Sequence, residues 1–219
     1  MPHRTDKSVT IFVNGILTFP GAAENWNRRA VTHFISRFDR FAESLEYLTF
    51  AITRFLFVRY RANKLAKKLL WYQDHGFKIH LVGHSNGANV IFNALKWGFE
   101  GQDIRRVESI QLFSPACSED ADALGVNQLF KDGRLGRLRI YRAGGDVALM
   151  LASAVGRCVG YGALGLNGFG NVQPELELSG LVSEHHEPVY NHSTWFEPDN
   201  FDFVMTQVRN FIKGDEGQN

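Results

Sequence analysis

"LVGHSNGANV", Leu81–Val90, is the stretch on which the reading of this chain turns. Ser85 stands between Gly83 and Gly87, after the run "FKIHLVG" and before "ANVIFNALKWG". The first run has the aliphatic, β-branched character of a buried strand. The second has the length and apolar content of a helix, closed by Gly98. The pattern therefore predicts a strand that turns sharply into a helix, with a serine at the corner.

That corner has chemical consequences. A serine hydroxyl is a weak nucleophile at neutral pH because its alkoxide is strongly disfavoured. It needs a base to take its proton and donors to hold the oxyanion formed after attack. A strand-to-helix turn supplies donors without extra machinery, because the first backbone N–H groups of the helix have no partner and point at developing negative charge. The turn is tight, so the residues two before and two after the serine must be small, and both are glycine. The plainer reading is a polar turn whose serine only caps the helix. G-x-S-x-G arises often by chance, and its weight here comes from the strand and the helix on either side.

Working outward, "SVTIFVNGI" (Ser8–Ile16) reads as a buried strand ending in an Asn-Gly turn. Val31, Phe34, Ile35, Phe38 and Phe41 then share one helical face, and Ser44–Phe50 reads as a second strand. Ala62, Leu65, Leu69 and Tyr72 place a helix over Arg61–His75, with Gly76 just past its end. Beyond the serine, "VESIQLFSPA" and "GRLRIYRAGG" are two further strands, separated by a helical or loop segment around Asp120–Lys131. Phe201, Val204, Met205, Val208, Phe211 and Ile212 make the apolar stripe of a terminal helix. Strands alternating with helices predict a single α/β domain over residues 1–219, with a mainly parallel central sheet flanked by helices.

Composition narrows the classes. The 219 residues are 44% hydrophobic and 21% charged with a formal net charge of +1, which gives no electrostatic reason to expect nucleic acid. The basic residues between Arg54 and Lys68 read as one solvated helix face. Two cysteines, Cys117 and Cys158, make neither a disulfide framework nor a metal-binding cluster, and the N-terminus lacks a secretory apolar region. The expectation is a cytoplasmic protein with free thiols. "VALMLASAVGRCVGYGALGLNGFGN" (Val147–Asn171) is apolar enough to suggest a membrane span, but Arg157 interrupts it and glycines fill its second half. A buried helix followed by a mobile glycine-rich loop is the better fit, with no stable membrane insertion.

With Gly83-His84-Ser85-Asn86-Gly87 as its nucleophile elbow, the chain resembles the α/β-hydrolase family, in element order from Ser8 to Ile212. The resemblance implies that the strand at Ser8 corresponds to the third strand of the full sheet, so that the chain has the compact form without the two leading antiparallel strands. It also implies the order nucleophile, acid, histidine. Asp146, just after "LRIYRAGG", stands where the acid belongs, with Asp120, Asp122 and Asp132 as less well-placed rivals. His192 in "VYNHSTWF", ahead of the terminal helix, stands where the base belongs, with His185 and His186 as the fallback. His84 is expected to point away from Ser85 and to support the site without being the base. The oxyanion donors implied are the backbone N–H of Asn86 and that of Ile16 or Leu17, in a loop where Asn14 replaces the commoner histidine. A plain Asn-Gly turn is the alternative there.

The function this implies is a serine hydrolase that cleaves a carboxylic ester of a small molecule through an acyl-enzyme, with no metal and no organic cofactor. The same triad would serve a thioesterase, an acyltransferase or an amidase, and the fold could also carry a non-catalytic binding protein. Val147–Phe169 is expected to cover the acyl side of the pocket and to move during turnover. Aromatic residues around Phe50–Tyr60 could contribute to a pocket, although core packing is the more ordinary use for most of them.

Overall fold

A computed structural model of the chain describes residues 7–15, 26–38, 40–45, 54–98, 105–156 and 162–214. Six strands, β1 (Ser8–Val13), β2 (Ala42–Leu45), β3 (Lys78–His84), β4 (Val107–Phe113), β5 (Leu135–Ala143) and β6 (Val182–Glu187), form one sheet. Their order is β2-β1-β3-β4-β5-β6, and every neighbouring pair is parallel. From β1 the chain steps outward to β2, then returns to lay β3 on the other side of β1. That reversal opens a crevice at the carboxyl ends of β1 and β3, where ligands of open α/β sheets bind.

Helices cover both faces, which is why the inner strands read as nearly continuous apolar runs. Val9, Ile11, Val13, Ile79, Leu81, Leu138 and Ile140 face the cluster built with α2 (Arg54–Asp74), α3 (Gly87–Gly98) and α4 (Val126–Lys131). Phe12, Val82, Phe113, Tyr141 and Ala143 face the cluster built with α1 (Trp26–Phe38) and α8 (Pro198–Lys213). The terminal stripe from Phe201 to Ile212 is buried throughout. Gln111, fully buried beneath it, donates to Val208 O at 3.1 Å and accepts from Tyr141 Oη at 3.0 Å, which ties α8 to the sheet. Gly76, at φ 74°, closes α2 in the left-handed conformation that favours glycine.

Four expectations are corrected. The stripe on α1 is rotated: Trp26, Ala30 and Phe34 are buried, whereas Ile35 is half exposed and Phe41 lies beyond the helix end. β2 begins at Ala42, earlier than Ser44–Phe50, of which residues 46–50 lie outside the described residues. "VSEHHE" is an edge strand, although its polar residues gave no strand signal. The Val147–Asn171 stretch divides differently from expectation. The described helix α5 (Val147–Gly156) exposes Val147, Met150 and Leu151 by more than half, whereas α6 (Leu164–Asn167) in the glycine-rich part is packed down. Arg142 donates twice to Leu166 O, at 3.0 and 2.6 Å, and Phe169 N–H is held by Glu184. α7 (Pro174–Leu178) leads from there into β6. No described helix is long and apolar enough to cross a membrane.

Candidate active site

Ser85 sits at the carboxyl end of β3 in left-handed backbone, φ 54°. A non-glycine residue is held there at a cost of about 1–3 kcal/mol, so its surroundings must over-determine it. They do so by hydrogen bonds and by packing. Ser85 N–H donates to Phe113 O at 3.0 Å, and Ser85 O accepts from Ala88 and Ala116. The flanking glycines are needed for close approach. A Cβ on Gly83 would lie 2.8 Å from Ile91 Cδ1, and one on Gly87 would lie 2.4 Å from Val13 O. The loop after β1 presses on the serine as well: a Cβ on Gly15 would meet Ser85 Cβ at 2.7 Å.

Asp146, just past β5, is fully buried. One oxygen accepts the Leu149 N–H at the start of α5 (2.8 Å), and the other lies 2.7 Å from His192 Nδ1. The turn before the acid again needs glycine for space, since a Cβ on Gly144 would lie 2.8 Å from Pro188 O. His192 follows β6 and precedes a short 3-10 turn at Thr194–Phe196. With Nδ1–H directed at the carboxylate, Nε2 is its basic nitrogen. Trp195 anchors this loop by donating to Ser114 Oγ at 3.1 Å, and Ser114 is the other described non-glycine residue at positive φ, 42°.

His84 connects the elbow to the histidine loop. Its Nε2 donates to His192 O at 2.8 Å, and the two ring centroids are 4.8 Å apart. Burial, reinforced by the neighbouring His192, pushes the His84 pKa down to about 3, against the opposing effect of the bond to His192 O. His84 therefore stays neutral and adds no charge beside the imidazole of His192. Trp26 stacks on Phe196 at 4.0 Å and meets His84 edge-on. The Trp26 indole N–H donates to Asn14 Oδ1 (2.9 Å), which also accepts Gly15 N–H (2.8 Å). Asn14 thus shapes the loop beside Ser85 through its side chain, a larger part than its residue type suggested.

The structure brings Ser85, Asp146 and His192 to the carboxyl ends of β3, β5 and β6, with Asn86 directly after the serine and 1% exposed. Ile16 and Leu17 lie outside the described residues. The rival carboxylates are occupied elsewhere. Asp120 and Asp122 hold Asn171 and Asn127 in an exposed turn, and Asp132 accepts from Gln128. His185 pairs with Glu187 on β6, away from Asp146. Sequence reasoning missed Ser114, because it stands in no motif and acts through a partner distant in the chain, whereas Trp26 ends the stretch "TFPGAAENW", read as lining the mouth of the site or capping the first helix.

No protein-family model matches the chain, and a search of curated sequences finds no match. Solved structures do match. An uncharacterized protein of Bacillus cereus superposes with a TM-score of 0.60 at 12% identity, over 99% of this chain and 62% of its own. This chain thus spans less than two thirds of that protein's length. A Xanthomonas campestris protein, provisionally described as a hydrolase of the α/β superfamily, matches with a TM-score of 0.52 at 12% identity, over 94% of this chain and 98% of its own. A metagenome-derived lipolytic enzyme matches with 0.51 at 12% identity, over 95% of both chains. Similarity at this level speaks to architecture, and with the parallel order β2-β1-β3-β4-β5-β6 and the corner at Ser85 it is decisive there: the chain has the α/β-hydrolase fold.

Proposed function

We propose that the protein is a serine hydrolase that cleaves a carboxylic ester through an acyl-enzyme. The observation that carries this reading is the 2.7 Å bond from His192 Nδ1 to the buried Asp146, beside a serine held in left-handed backbone at a strand end. Ser85 Oγ attacks the ester carbonyl while His192 Nε2 takes its proton. The same imidazolium then protonates the leaving alcohol, and Asp146 stabilises it and fixes its tautomer. Water activated by His192 releases the acid and restores Ser85. Among the described residues Ser85 Oγ makes no side-chain hydrogen bond, so this mechanism requires Oγ and His192 Nε2 to come within hydrogen-bond reach in the substrate complex.

The oxyanion is received by the backbone N–H of Asn86 and by a second donor from the loop after β1. Gly15 N–H is held by Asn14 Oδ1, and the second donor is assigned, as the family resemblance implies, to the backbone N–H of Ile16 or Leu17. The ester class is supported by the lipolytic neighbour and by α5, whose exposed Val147, Met150 and Leu151 offer an apolar surface for an acyl group directly after the acid. A fluorophosphonate probe tests the reading. Wild-type protein is expected to be labelled at Ser85 and to hydrolyse nitrophenyl esters, and Ser85→Ala is expected to lose both. Equal labelling of the two proteins would remove the proposal.

A further inference from the structure

Ser114 follows β4 in left-handed backbone, a conformation that glycine adopts at lower cost. Its neighbours hold it there. Ser114 N–H donates to Tyr141 O at 2.9 Å, and Gly165 on α6 packs so closely that a Cβ there would lie 2.7 Å from Ser114 C. A glycine at position 114 would keep both contacts. What it would lack is the hydroxyl, whose oxygen accepts the Trp195 indole N–H at 3.1 Å. Both side chains are buried, so this bond is shielded from solvent.

The two ends of the bond hold different halves of the proposed site. Residues on either side of Ser114 grip the backbone of the nucleophile: Phe113 O accepts Ser85 N–H and Ala116 N–H donates to Ser85 O, each at 3.0 Å. Trp195 stands three residues after His192, at the end of a turn that is closed on itself. Asn191 Oδ1 accepts the N–H groups of Ser193 and Thr194 at 3.0 and 3.2 Å, and Thr194 Oγ1 accepts Asn191 N–H at 3.2 Å. Asn200 Nδ2 adds a bond to Thr194 O at 2.9 Å. A displacement of Trp195 is therefore passed on to His192. Phe113, Tyr141 and Tyr190 pack edge-on against the indole and fix the direction of its N–H.

We propose that Ser114 and Trp195 are a positioning pair: the bond between them sets how far His192 Nε2 stands from Ser85 Oγ, and with it the rate of acyl transfer. This inference rests on the hydrolase reading above. Ser85 Oγ makes no side-chain hydrogen bond among the described residues, so the two loops, held by their own anchors, set that separation before substrate arrives. Reacting groups must be held to within about 0.5 Å, and a misplacement of about 1 Å costs on the order of 10²-fold in rate.

Two variants of the full chain remove the bond from opposite ends. Trp195→Phe deletes the donor and keeps a ring among Phe113, Tyr141 and Tyr190, while Ser114→Gly deletes the acceptor and suits the left-handed backbone. Each is measured on a short nitrophenyl ester, with turnover counted per serine labelled by a fluorophosphonate, so that unfolded protein does not enter. Each should lose about tenfold in kcat with KM unchanged, and the rate of labelling should fall by the same factor. The double variant should lose no more than either single one, because both changes remove one bond. Unchanged kcat per labelled serine, even with a lower unfolding midpoint, would leave the pair a mere anchor and overturn the inference. So would losses that multiply to about a hundredfold in the double variant. A wild-type protein that takes no label would remove the hydrolase reading and this inference with it, whereas a labelled wild type beside variants of equal kcat would remove this inference alone.

Discussion

The carboxyl ends of the strands and their amino ends use glycine for opposite reasons. At the amino ends, Gly133 and Gly180 precede β5 and β6 with φ of 66° and 70°, and a Cβ on either would touch nothing within 4 Å. There glycine supplies a backbone angle. At the carboxyl ends the positive angles belong to Ser85 and Ser114, which carry side chains, and the glycines around them serve close approach. Unfavourable backbone is tolerated only where packing and hydrogen bonds from several elements enforce it, and that is the end where the proposed chemistry is placed. The contrast extends to the buried histidines. The carboxyl end buries one carboxylate against His192 beside a neutral His84, whereas towards the amino end His80 is buried with Nδ1 2.8 Å from Ser109 Oγ.

The largest effect should come from the buried carboxylate. Asp146→Asn should fold normally yet lose about 10⁴-fold in ester turnover, because His192 would be held in the wrong tautomer. Turnover near the wild-type value would move the acid to Asp120 or Asp122 and break the contrast at its centre.

The two kinds of glycine can be compared directly by urea unfolding. Gly87→Ala should destabilise by about 1–3 kcal/mol, because its Cβ must displace Val13 O from 2.4 Å. Gly180→Ala meets no atom and should lose only about 1 kcal/mol, from the strained angle alone. Equal losses would show that approach and angle are not distinct demands.

Acidification probes one buried histidine at each end. His84 and His80 are held neutral with pKa values of about 3 and about 4, below the ordinary 6.5. Below that ordinary value the unfolded chain takes up protons that the folded chain refuses. Stability from each is therefore complete above about pH 6.5 and falls as pH drops towards the folded values, by up to about 1.4 kcal/mol per pH unit per histidine. His80→Asn should remove its share of that slope. An unchanged slope would mean that His80 protonates freely in the folded protein.

The smallest effect concerns substrate. Leu151→Ser on the exposed face of α5 should leave stability within about 0.5 kcal/mol of wild type. It should shift preference within an ester series towards shorter acyl groups. An unaltered preference would take α5 out of the acyl site.

The sequence alone determined the alternation of strands and helices, the corner at Ser85 and the place of Asp146 just past β5, whereas it set His192 only ahead of the terminal helix. Each of these rests on a local pattern: apolar periodicity, glycines at fixed spacing, or a polar residue just beyond a strand. What escaped it depends on partners far along the chain. β6 pairs through its backbone with β5, so its polar side chains carry no trace of the strand. The glycine-rich segment reads as mobile, yet Glu119, Arg142 and Glu184 hold its described part at Ala163, Leu166 and Phe169 from three other places. The bond between Ser114 and Trp195 is invisible in the sequence, because 81 positions separate the two and they meet only when the fold sets the end of β4 beside the histidine loop. Side-chain pattern records which face of an element is buried. Which elements meet is decided by the fold.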